Sequence, residues 1–321
     1  MLHVPVMPGL DLVPTVMPLA EPCWFTSVGM FIIDENKYPL SFNKEPEINI
    51  IGGALTYAVV GARMVATAIN GTRVGGIVDK GNDFPLQVER ELQKWGTGLV
   101  YRYDPTRKTT RGVNNYLENG IRVFYYETVK KRVGVLDILQ YDNLLHSKSF
   151  HLICGIERAS EVVTILPANL PAIERPIFIW EPLPDDCTTQ NYAKLCQVLS
   201  EIDIFTPNLI EAQNFITKST HEMSTEDIPD FVSKYFVPHM KKSAVVVLRC
   251  GPRGCYVRTV DRTVDIMVPA YHSDQNFVKD PTGGGNLFCG GFMLGYLLLK
   301  NWISAAICGN LVSGCVIEQL G

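Results

Sequence analysis

Short apolar runs alternate with stretches of helical periodicity along most of the chain. Several of the runs show no alternation of apolar and polar positions, which is typical of strands covered on both faces. They predict strands at Val28–Ile33, Ile48–Ile51, Arg73–Val78, Phe150–Cys154, Pro176–Glu181, Ile202–Pro207 and Ala244–Leu248. Helices are predicted at Leu55–Ala68, Pro85–Trp95, Asn191–Ser200, Ile210–Phe215 and Thr225–Tyr235. This alternation predicts an α/β fold with a central, mostly parallel sheet between helical layers.

The segment from Tyr101 to Tyr126 interrupts the alternation. It is rich in Arg, Thr, Asn and aromatic residues, and it contains Asn119-Gly120, a dipeptide that favours a tight turn. The pattern predicts a hairpin of two polar strands, which is either an edge decoration of the sheet or a lid over a site. No internal repeat or long linker divides the chain, so we expect one domain over residues 23–321 that carries this hairpin.

Residues 1–22 are predicted to form a mobile tail. Prolines recur at positions 5, 8, 14 and 18, and the segment has no Lys or Arg, so it lacks the basic start and unbroken apolar run of a signal peptide. The nine cysteines are scattered without a Cys-x-x-Cys pair. Such scattered cysteines are typical of reduced thiols in a cytoplasmic protein.

Composition excludes several classes of protein. Hydrophobic residues make up 46% and charged residues 19% of the chain, which excludes a disordered protein. The formal net charge of −4 provides no general attraction for nucleic acid or an anionic membrane. The apolar run Leu287–Leu299 is shorter than the roughly 20 residues of a transmembrane helix, so it predicts a helix buried against the sheet.

The strongest candidate for ligand chemistry is the sequence Asp280-Pro-Thr-Gly-Gly-Gly-Asn286, which leads into that apolar helix. Gly283, Gly284 and Gly285 allow the backbone to turn sharply and to approach a ligand closely. N–H groups at a helix N-terminus favour anions. The spacing fits neither a Walker A loop nor a dinucleotide fingerprint, so phosphate binding and a simple turn into the helix are both open.

Three weaker motifs precede this loop. Gly52-Gly53 follows a predicted strand and is either a site of close ligand approach or a tight strand–helix turn. Asn208 and Glu211 share one face of a helical turn, where a capping box explains both residue types without a ligand. Arg249-Cys-Gly-Pro-Arg-Gly254 reads by itself as a glycine turn between two strands.

Taken in order, these motifs resemble the ribokinase/PfkB carbohydrate kinase family. Gly29-x-x-x-x-Asp34 and the polar hairpin fit the same pattern, and the resemblance extends from about Trp24 to the end of the chain. Gly-Gly-x-x-Thr-Tyr at Gly52–Tyr57 and the Asp280–Asn286 motif look most like the fungal maintenance-of-killer branch. The resemblance implies a ribokinase-like, three-layer α/β fold with a small β lid.

The resemblance also implies an activity and roles for individual residues. Family members transfer the γ-phosphoryl group of ATP, with Mg²⁺, to a hydroxyl of a sugar, nucleoside or polyol. By similarity, Asp34 binds acceptor hydroxyls and Glu211 organises magnesium and its waters. The remaining implied roles are acceptor-pocket lining by Gly52, Gly53 and Tyr57, nucleotide binding by Asn208, Arg249, Gly251 and Gly254, and an anion hole at Gly283, Gly284 and Gly285.

The chain departs from the family pattern at the catalytic base. Asn286 occupies the position of the family's aspartate, and an amide can orient a hydroxyl but has no useful basicity. Loss of a general base typically costs about 10²–10⁴ in rate, so we expect Asn286→Asp to raise phosphoryl transfer. Asp280 is expected to lie too far upstream to replace the base. Tyr57 replaces a frequent asparagine and is expected to reshape the acceptor pocket.

The resemblance leaves several alternatives open. The chain ends at Gly321, so either it is shortened or its adenine pocket lacks a helix. The protein is a weak kinase, a catalytically degenerate nucleotide- or metabolite-binding protein that acts through a protein partner, or a purely structural relative. Retention of Asn208, Glu211 and Arg249 favours ligand binding over the structural alternative, whereas Asn286 favours the degenerate binder over the kinase. Lid hairpins in this family also make a homodimer an expected arrangement.

Overall fold

Thirteen strands are present in the part of the protein that the structure describes. The structure is a computed structural model that describes residues 21–119, 121–218 and 223–318. In chain order the strands are β1 (Phe25–Ser27), β2 (Ile32–Lys37), β3 (Glu47–Gly52), β4 (Val74–Lys80), β5 (Gly98–Tyr103), β6 (Arg111–Tyr116), β7 (Arg122–Tyr126), β8 (Ser149–Ile153), β9 (Ile177–Glu181), β10 (Ile204–Phe205), β11 (Val245–Arg249), β12 (Cys255–Thr259) and β13 (Asp265–Val268).

Nine of these strands form the central sheet, in the order β13-β12-β11-β10-β9-β8-β1-β4-β5. Every pairing from β11 to β5 is parallel, whereas β12 and β13 extend one edge as antiparallel strands. The predicted mostly parallel sheet is therefore confirmed. The turn predicted between two strands at Arg249–Gly254 connects β11 to β12, whereas β13 was not predicted.

Helices cover both faces of the central sheet. Along β11, Val246 packs into one apolar core, whereas Val245 and Val247 pack into the other. This two-sided burial explains why the strand reads as an uninterrupted apolar run. The helices are α1 (Ala54–Val65), α2 (Leu86–Lys94), α3 (Val135–Ile138), α4 (Asp142–Leu145), α5 (Ile156–Ala168), α6 (Tyr192–Leu199), α7 (Leu209–Asn214), α8 (Ile228–Tyr235), α9 (Gly284–Leu299) and α10 (Trp302–Ile317).

The predicted strand Val28–Ile33 is wrong, because the chain leaves the central sheet within it. β1 ends at Ser27, and β2 begins at Ile32 in a second sheet. Val28 and Phe31, which lie between the two strands, are each only 4% exposed. The apolar run therefore continues across the transition, and hydrophobicity alone does not mark the point where the sheet changes.

The second sheet is the small β lid, with four strands in the order β3-β2-β6-β7. The predicted hairpin is present as the antiparallel pair β6–β7, but it begins at Arg111 instead of Tyr101. Residues 101–103 belong to β5, where Tyr101 pairs with Val78 of the central sheet. The end of β5 looked lid-like because it is polar: Arg102 forms an ion pair with Asp79 at 2.8 Å.

Four helices were not predicted: α3 and α4 have four residues each, whereas α5 and α10 are longer. The helix α5 buries Ile156, Ala159, Val163 and Leu166, a spacing of three to four residues that was readable in the sequence. It supplies the crossover that the parallel pair β8–β9 requires. The other long helix that was not predicted, α10, packs along α9. The other predicted elements occur within a few residues of their predicted bounds.

The apolar helix α9 lies inside the protein, as predicted. Leu287, Phe292 and Met293 are fully buried. The helix packs directly on α1, and a Cβ atom at Gly290 would collide with the carbonyl oxygen of Ala58. Among the described residues, no helix has the length and apolarity needed to cross a membrane.

Most of the predicted tail, residues 1–20, lies outside the described residues. Residues 21–23 are held against the central sheet. Glu21 forms an ion pair with Arg73, and Cys23 is fully buried.

Candidate functional site

The candidate site lies at the carboxyl ends of the parallel strands. Strand order reverses at β1, since β4 and β5 extend the sheet on one side and β8 extends it on the other. Open α/β sheets bind ligands outside the carboxyl ends of their strands at such a switch point. Ser27, Glu181 and Arg249 end β1, β9 and β11 at this edge, and α9 begins beside them.

The predicted glycine loop forms the centre of the site. Gly283 is the N-cap of α9 and has a φ of 75°, in the left-handed region that favours glycine. A Cβ atom at Gly283 would overlap the Tyr57 ring, and one at Gly285 would overlap the Arg249 guanidinium. The loop is therefore packed between an aromatic ring and a cation, and the N-terminus of a 16-residue helix points to this space.

Arg249 connects two buried carboxylates. Its Nη2 lies 3.1 Å from Glu181 Oε2 and 3.5 Å from Glu211 Oε2, while its Nε donates to the Thr206 carbonyl at 3.1 Å. Burial alone would raise the pKa of Glu181, but Arg249 and the hydrogen bonds around it lower the pKa overall. Burial raises the pKa of Glu211. Arg249 offsets this shift only in part, because Arg249 lies farther from Glu211 than from Glu181.

Asn208 and Glu211 form a reciprocal capping box at the start of α7. The Asn208 side chain accepts from the Glu211 backbone N–H at 2.8 Å, and Glu211 Oε2 accepts from the Asn208 backbone N–H at the same distance. The local interpretation of this motif is therefore correct. It does not exclude a ligand role, because Glu211 is 7% exposed and lies beside Arg249 at the site.

A buried polar chain extends inward from the base position. Asn286 Nδ2 donates to Glu181 Oε1, and His151 Nε2 donates to the same oxygen at 2.8 Å. Ser27 Oγ lies 2.9 Å from His151 Nδ1. Glu181 and His151 were not among the predicted site residues. Their signal was an acid and a histidine placed within predicted strands that are otherwise apolar.

Asp34 lies on the lid side of the site with an unsatisfied carboxylate oxygen. It is 8% exposed, and within the described part of the chain its Oδ1 has no hydrogen-bond partner. Gly52 and Gly112 leave no room for a Cβ beside this carboxylate. Burial raises the pKa of Asp34 to about 6, and the Arg122 charge opposes the shift only in part. A buried polar atom without a partner is the feature expected of a group that binds a ligand hydroxyl.

The lid and the glycine loop are in contact near Asp34. Arg122 on β7 donates to Thr282 Oγ1 at 2.6 Å. The Tyr57 ring lies against Gly283, and its pKa is raised to about 12 by burial and by the charges of Asp34 and Asp280. Asp34 therefore lies on the same side of the protein as the loop. Asp280 accepts from the Thr282 backbone N–H at 2.9 Å and so supports the turn.

A cavity of about 470 Å³ opens on the other side of the glycine loop. It is lined by the predicted nucleotide-side residues Asn208, Arg249, Gly251 and Gly254 and by Gly284 and Gly285. The unpredicted helix α10 forms the opposite wall through Asn310, Ser313, Gly314 and Ile317. Pockets of this size and mixed character are typical of small-molecule and cofactor sites.

Comparison with known proteins identifies the family. The sequence profile of the pfkB family carbohydrate kinases matches residues 179–321. Protein MAK32 of Saccharomyces cerevisiae is 34% identical over 310 residues, which cover 91% of this chain and 84% of that protein. The chain belongs to the pfkB carbohydrate kinase family. The match to MAK32 also confirms the predicted resemblance to the maintenance-of-killer branch.

Solved structures of this family confirm the ribokinase-like fold. Ribokinase from Giardia lamblia superposes with a TM-score of 0.71 at 16% identity, over 94% of each chain. An Escherichia coli protein described as ribokinase II, crystallised with ATP and Mg²⁺, superposes with a TM-score of 0.67 at 18% identity, over 93% of this chain and 94% of that one. At these identities the likeness concerns the fold and does not assign residues.

Proposed function

We propose that the protein is an Mg·ATP-dependent phosphotransferase whose acceptor is a hydroxyl of a sugar, nucleoside or polyol. The observation that carries the proposal is the arrangement of two features around the glycine loop. A 470 Å³ cavity opens on one side of the loop, and on the lid side the buried Asp34 Oδ1 has no hydrogen-bond partner among the described residues. Phosphoryl transfer requires a nucleotide on one side of an anion-binding element and an acceptor hydroxyl on the other.

ATP fits the 470 Å³ cavity on the evidence of the residues that line it. Apolar residues such as Phe288 and Val278 suit the adenine ring of ATP, while Arg249 and the helix N-terminus suit its phosphates. In this arrangement Arg249 and the N–H groups that follow Gly283 stabilise charge on the transferred phosphoryl group. The orientation of Arg249 is fixed before the reaction, because its guanidinium is held by Glu181 and by the Thr206 carbonyl.

Magnesium fits the site through Glu211. Mg²⁺ commonly binds one or two carboxylates together with phosphate oxygens and several waters, so one acid is sufficient. When bound, the ion neutralises charge on the phosphates. Glu211 is the candidate ligand because its carboxylate is buried beside the cavity-lining Arg249, which lies 3.5 Å away.

Asp34 and Tyr57, on the lid side of the glycine loop, determine which hydroxyl reacts. Asp34 Oδ1 is free to accept a hydrogen bond from an acceptor hydroxyl, and Tyr57 limits the space beside Gly283. Asn286 takes the base position, where it orients the attacking hydroxyl without removing its proton. We therefore infer slow turnover, with most of the remaining catalysis supplied by positioning and electrostatics.

The second candidate is a catalytically degenerate protein that binds nucleotide or metabolite and acts through a protein partner. Asn286 is the specific feature that favours it. In either case we propose a cytoplasmic location, because all nine cysteines are free thiols. A homodimer formed through the lid stays a prediction for both candidates.

An assay of ADP release tests the proposal. It measures phosphoryl transfer from ATP to each member of a panel of sugars, nucleosides and polyols. We expect at least one acceptor to stimulate ADP release, and Asp34→Asn to abolish that stimulation while Mg·ATP still raises the melting temperature. Asp230→Asn on the exposed face of α8 is the matched control and should behave like the unmodified protein. Binding of Mg·ATP with no acceptor stimulation would favour the degenerate binder.

A further inference from the structure

We propose that Glu181 and Asn286 act as one coupled pair, in which the Glu181 carboxylate fixes the Asn286 amide so that its oxygen faces the acceptor side of the glycine loop, where Asp34 lies. Glu181 is a positioning residue, since it lies behind Asn286 and is only 3% exposed. The hydroxyl-orienting part of this inference rests on the proposed function. The coupling between the two side chains does not.

The chemistry of the two groups decides the orientation of the amide. An ionised carboxylate only accepts hydrogen bonds, whereas an amide has one donating NH₂ group and one accepting oxygen. Asn286 therefore presents Nδ2 to Glu181 Oε1, and its Oδ1 is directed away from Glu181. An amide oxygen in that position accepts a hydrogen bond from a hydroxyl, which is the contact that an attacking alcohol needs.

Glu181 can perform this role because its surroundings keep it ionised and immobile. Arg249 on β11 and His151 on β8 each bind it, at 3.1 and 2.8 Å. Cys289 on α9 belongs to the same buried cluster, and Glu211 on α7 is the other carboxylate beside Arg249. One carboxylate thus holds both Asn286 and the phosphate-side cation Arg249.

This pair changes the expectation for Asn286→Asp. The substitution places a second carboxylate in hydrogen-bond contact with Glu181 Oε1, and two carboxylates that close cannot both ionise. The new group would share a proton with Glu181, so it would not serve as a free base. The single substitution is therefore not expected to restore phosphoryl transfer.

A reciprocal exchange of the two groups removes the conflict. Glu181→Gln combined with Asn286→Asp retains one amide, one carboxylate, the hydrogen bond between them and the net charge. The carboxylate then occupies the base position. Arg249 retains Glu211 as a counter-charge, and His151 can accept from the new amide through its other tautomer.

The test compares the unmodified protein, Glu181→Gln, Asn286→Asp and the double variant by thermal melting from pH 5 to pH 8. In Asn286→Asp the shared carboxyl has a folded-state pKa above its unfolded value. The contribution of this carboxyl to the stability of the folded protein is therefore most favourable at low pH and is lost as pH rises. We expect the melting temperature of Asn286→Asp to fall progressively below that of the unmodified protein as pH rises, and the double variant to recover most of the loss.

Asn301→Asp is the matched control. It adds the same carboxylate at the N-cap of α10, where the asparagine side chain accepts from the Ser304 N–H, and it should show no such pH-dependent loss. In acceptor-stimulated ADP release, the double variant should exceed Asn286→Asp by on the order of 10²-fold. If no variant turns over but the melting pattern appears, the coupling holds and the proposed kinase activity fails. A single Asn286→Asp that melts like the unmodified protein at every pH, or that alone gains activity, would overturn the inference.

Discussion

Replacement of Gly283 by alanine tests the packing of the glycine loop against Tyr57. Gly283 has a φ of 75°, and an alanine in this left-handed region costs about 1–2 kcal/mol. The added Cβ would also lie within 3.0 Å of three atoms of the Tyr57 ring. Overpacking of this kind typically costs about 1–3 kcal/mol. We therefore expect Gly283→Ala to lower the free energy of unfolding by about 2–5 kcal/mol.

The chain offers a control that separates the two costs. Gly96 has a similar φ of 60°, but a Cβ at that position meets no atom within 4 Å. Gly96→Ala should therefore cost only the backbone strain of about 1–2 kcal/mol. The excess cost of Gly283→Ala over Gly96→Ala measures the collision with the ring.

Chemical denaturation of a double-mutant cycle provides the assay. In a Tyr57→Ala background, the excess cost at Gly283 should largely disappear, because the ring that obstructs the Cβ is gone. The strain at both glycines should remain. Equal costs at Gly283 and Gly96 in the unmodified background would refute the packing of the Tyr57 ring against the loop.

Three further predictions concern the site. Asp34→Asn should stabilise the apoprotein at pH 7 by on the order of 2 kcal/mol. Burial raises the pKa of Asp34 to about 6, so its ionisation opposes folding as pH rises. Denaturant unfolding should show that this gain vanishes near pH 4. Arg122→Ala should raise the acceptor KM and leave the Mg·ATP Kd unchanged, because Arg122 joins the lid to Thr282 outside the nucleotide cavity. Glu211→Gln should keep the capping box with Asn208 but remove most of the magnesium-dependent part of ATP binding, as isothermal titration with and without Mg²⁺ would measure.

Features carried by neighbouring residues were predictable from the sequence. The glycine loop at Gly283–Gly285 and the apolar run that follows it predicted a helix N-terminus, which the structure contains as α9. The capping box of Asn208 and Glu211 lies within one helical turn, so its residue types indicated its geometry. In each case the interaction is formed within a few residues, where spacing along the chain corresponds directly to spacing in the fold.

Features carried by distant residues were not predictable in this way. Glu181 is bound by His151, which is 30 residues away, and by Asn286, which is 105 residues away. Nothing near Glu181 in the chain indicates that these groups meet. The predicted lid boundary was wrong for a related reason. Ile33 is placed outside the central sheet by its pairings with Ile51 on β3 and with the distant Arg111 on β6, and the apolar run itself does not indicate them.

Isothermal titration of the unmodified protein with ATP in the presence and absence of Mg²⁺ tests the central claim most directly. The claim is that the cavity beside Gly284 and Gly285 binds Mg·ATP with the help of Arg249 and Glu211. We predict saturable binding to one site that weakens without Mg²⁺, with a matching rise in unfolding free energy of about 2.7 kcal/mol at 100 times Kd. No heat of binding and an unchanged melting temperature at millimolar Mg·ATP would contradict it.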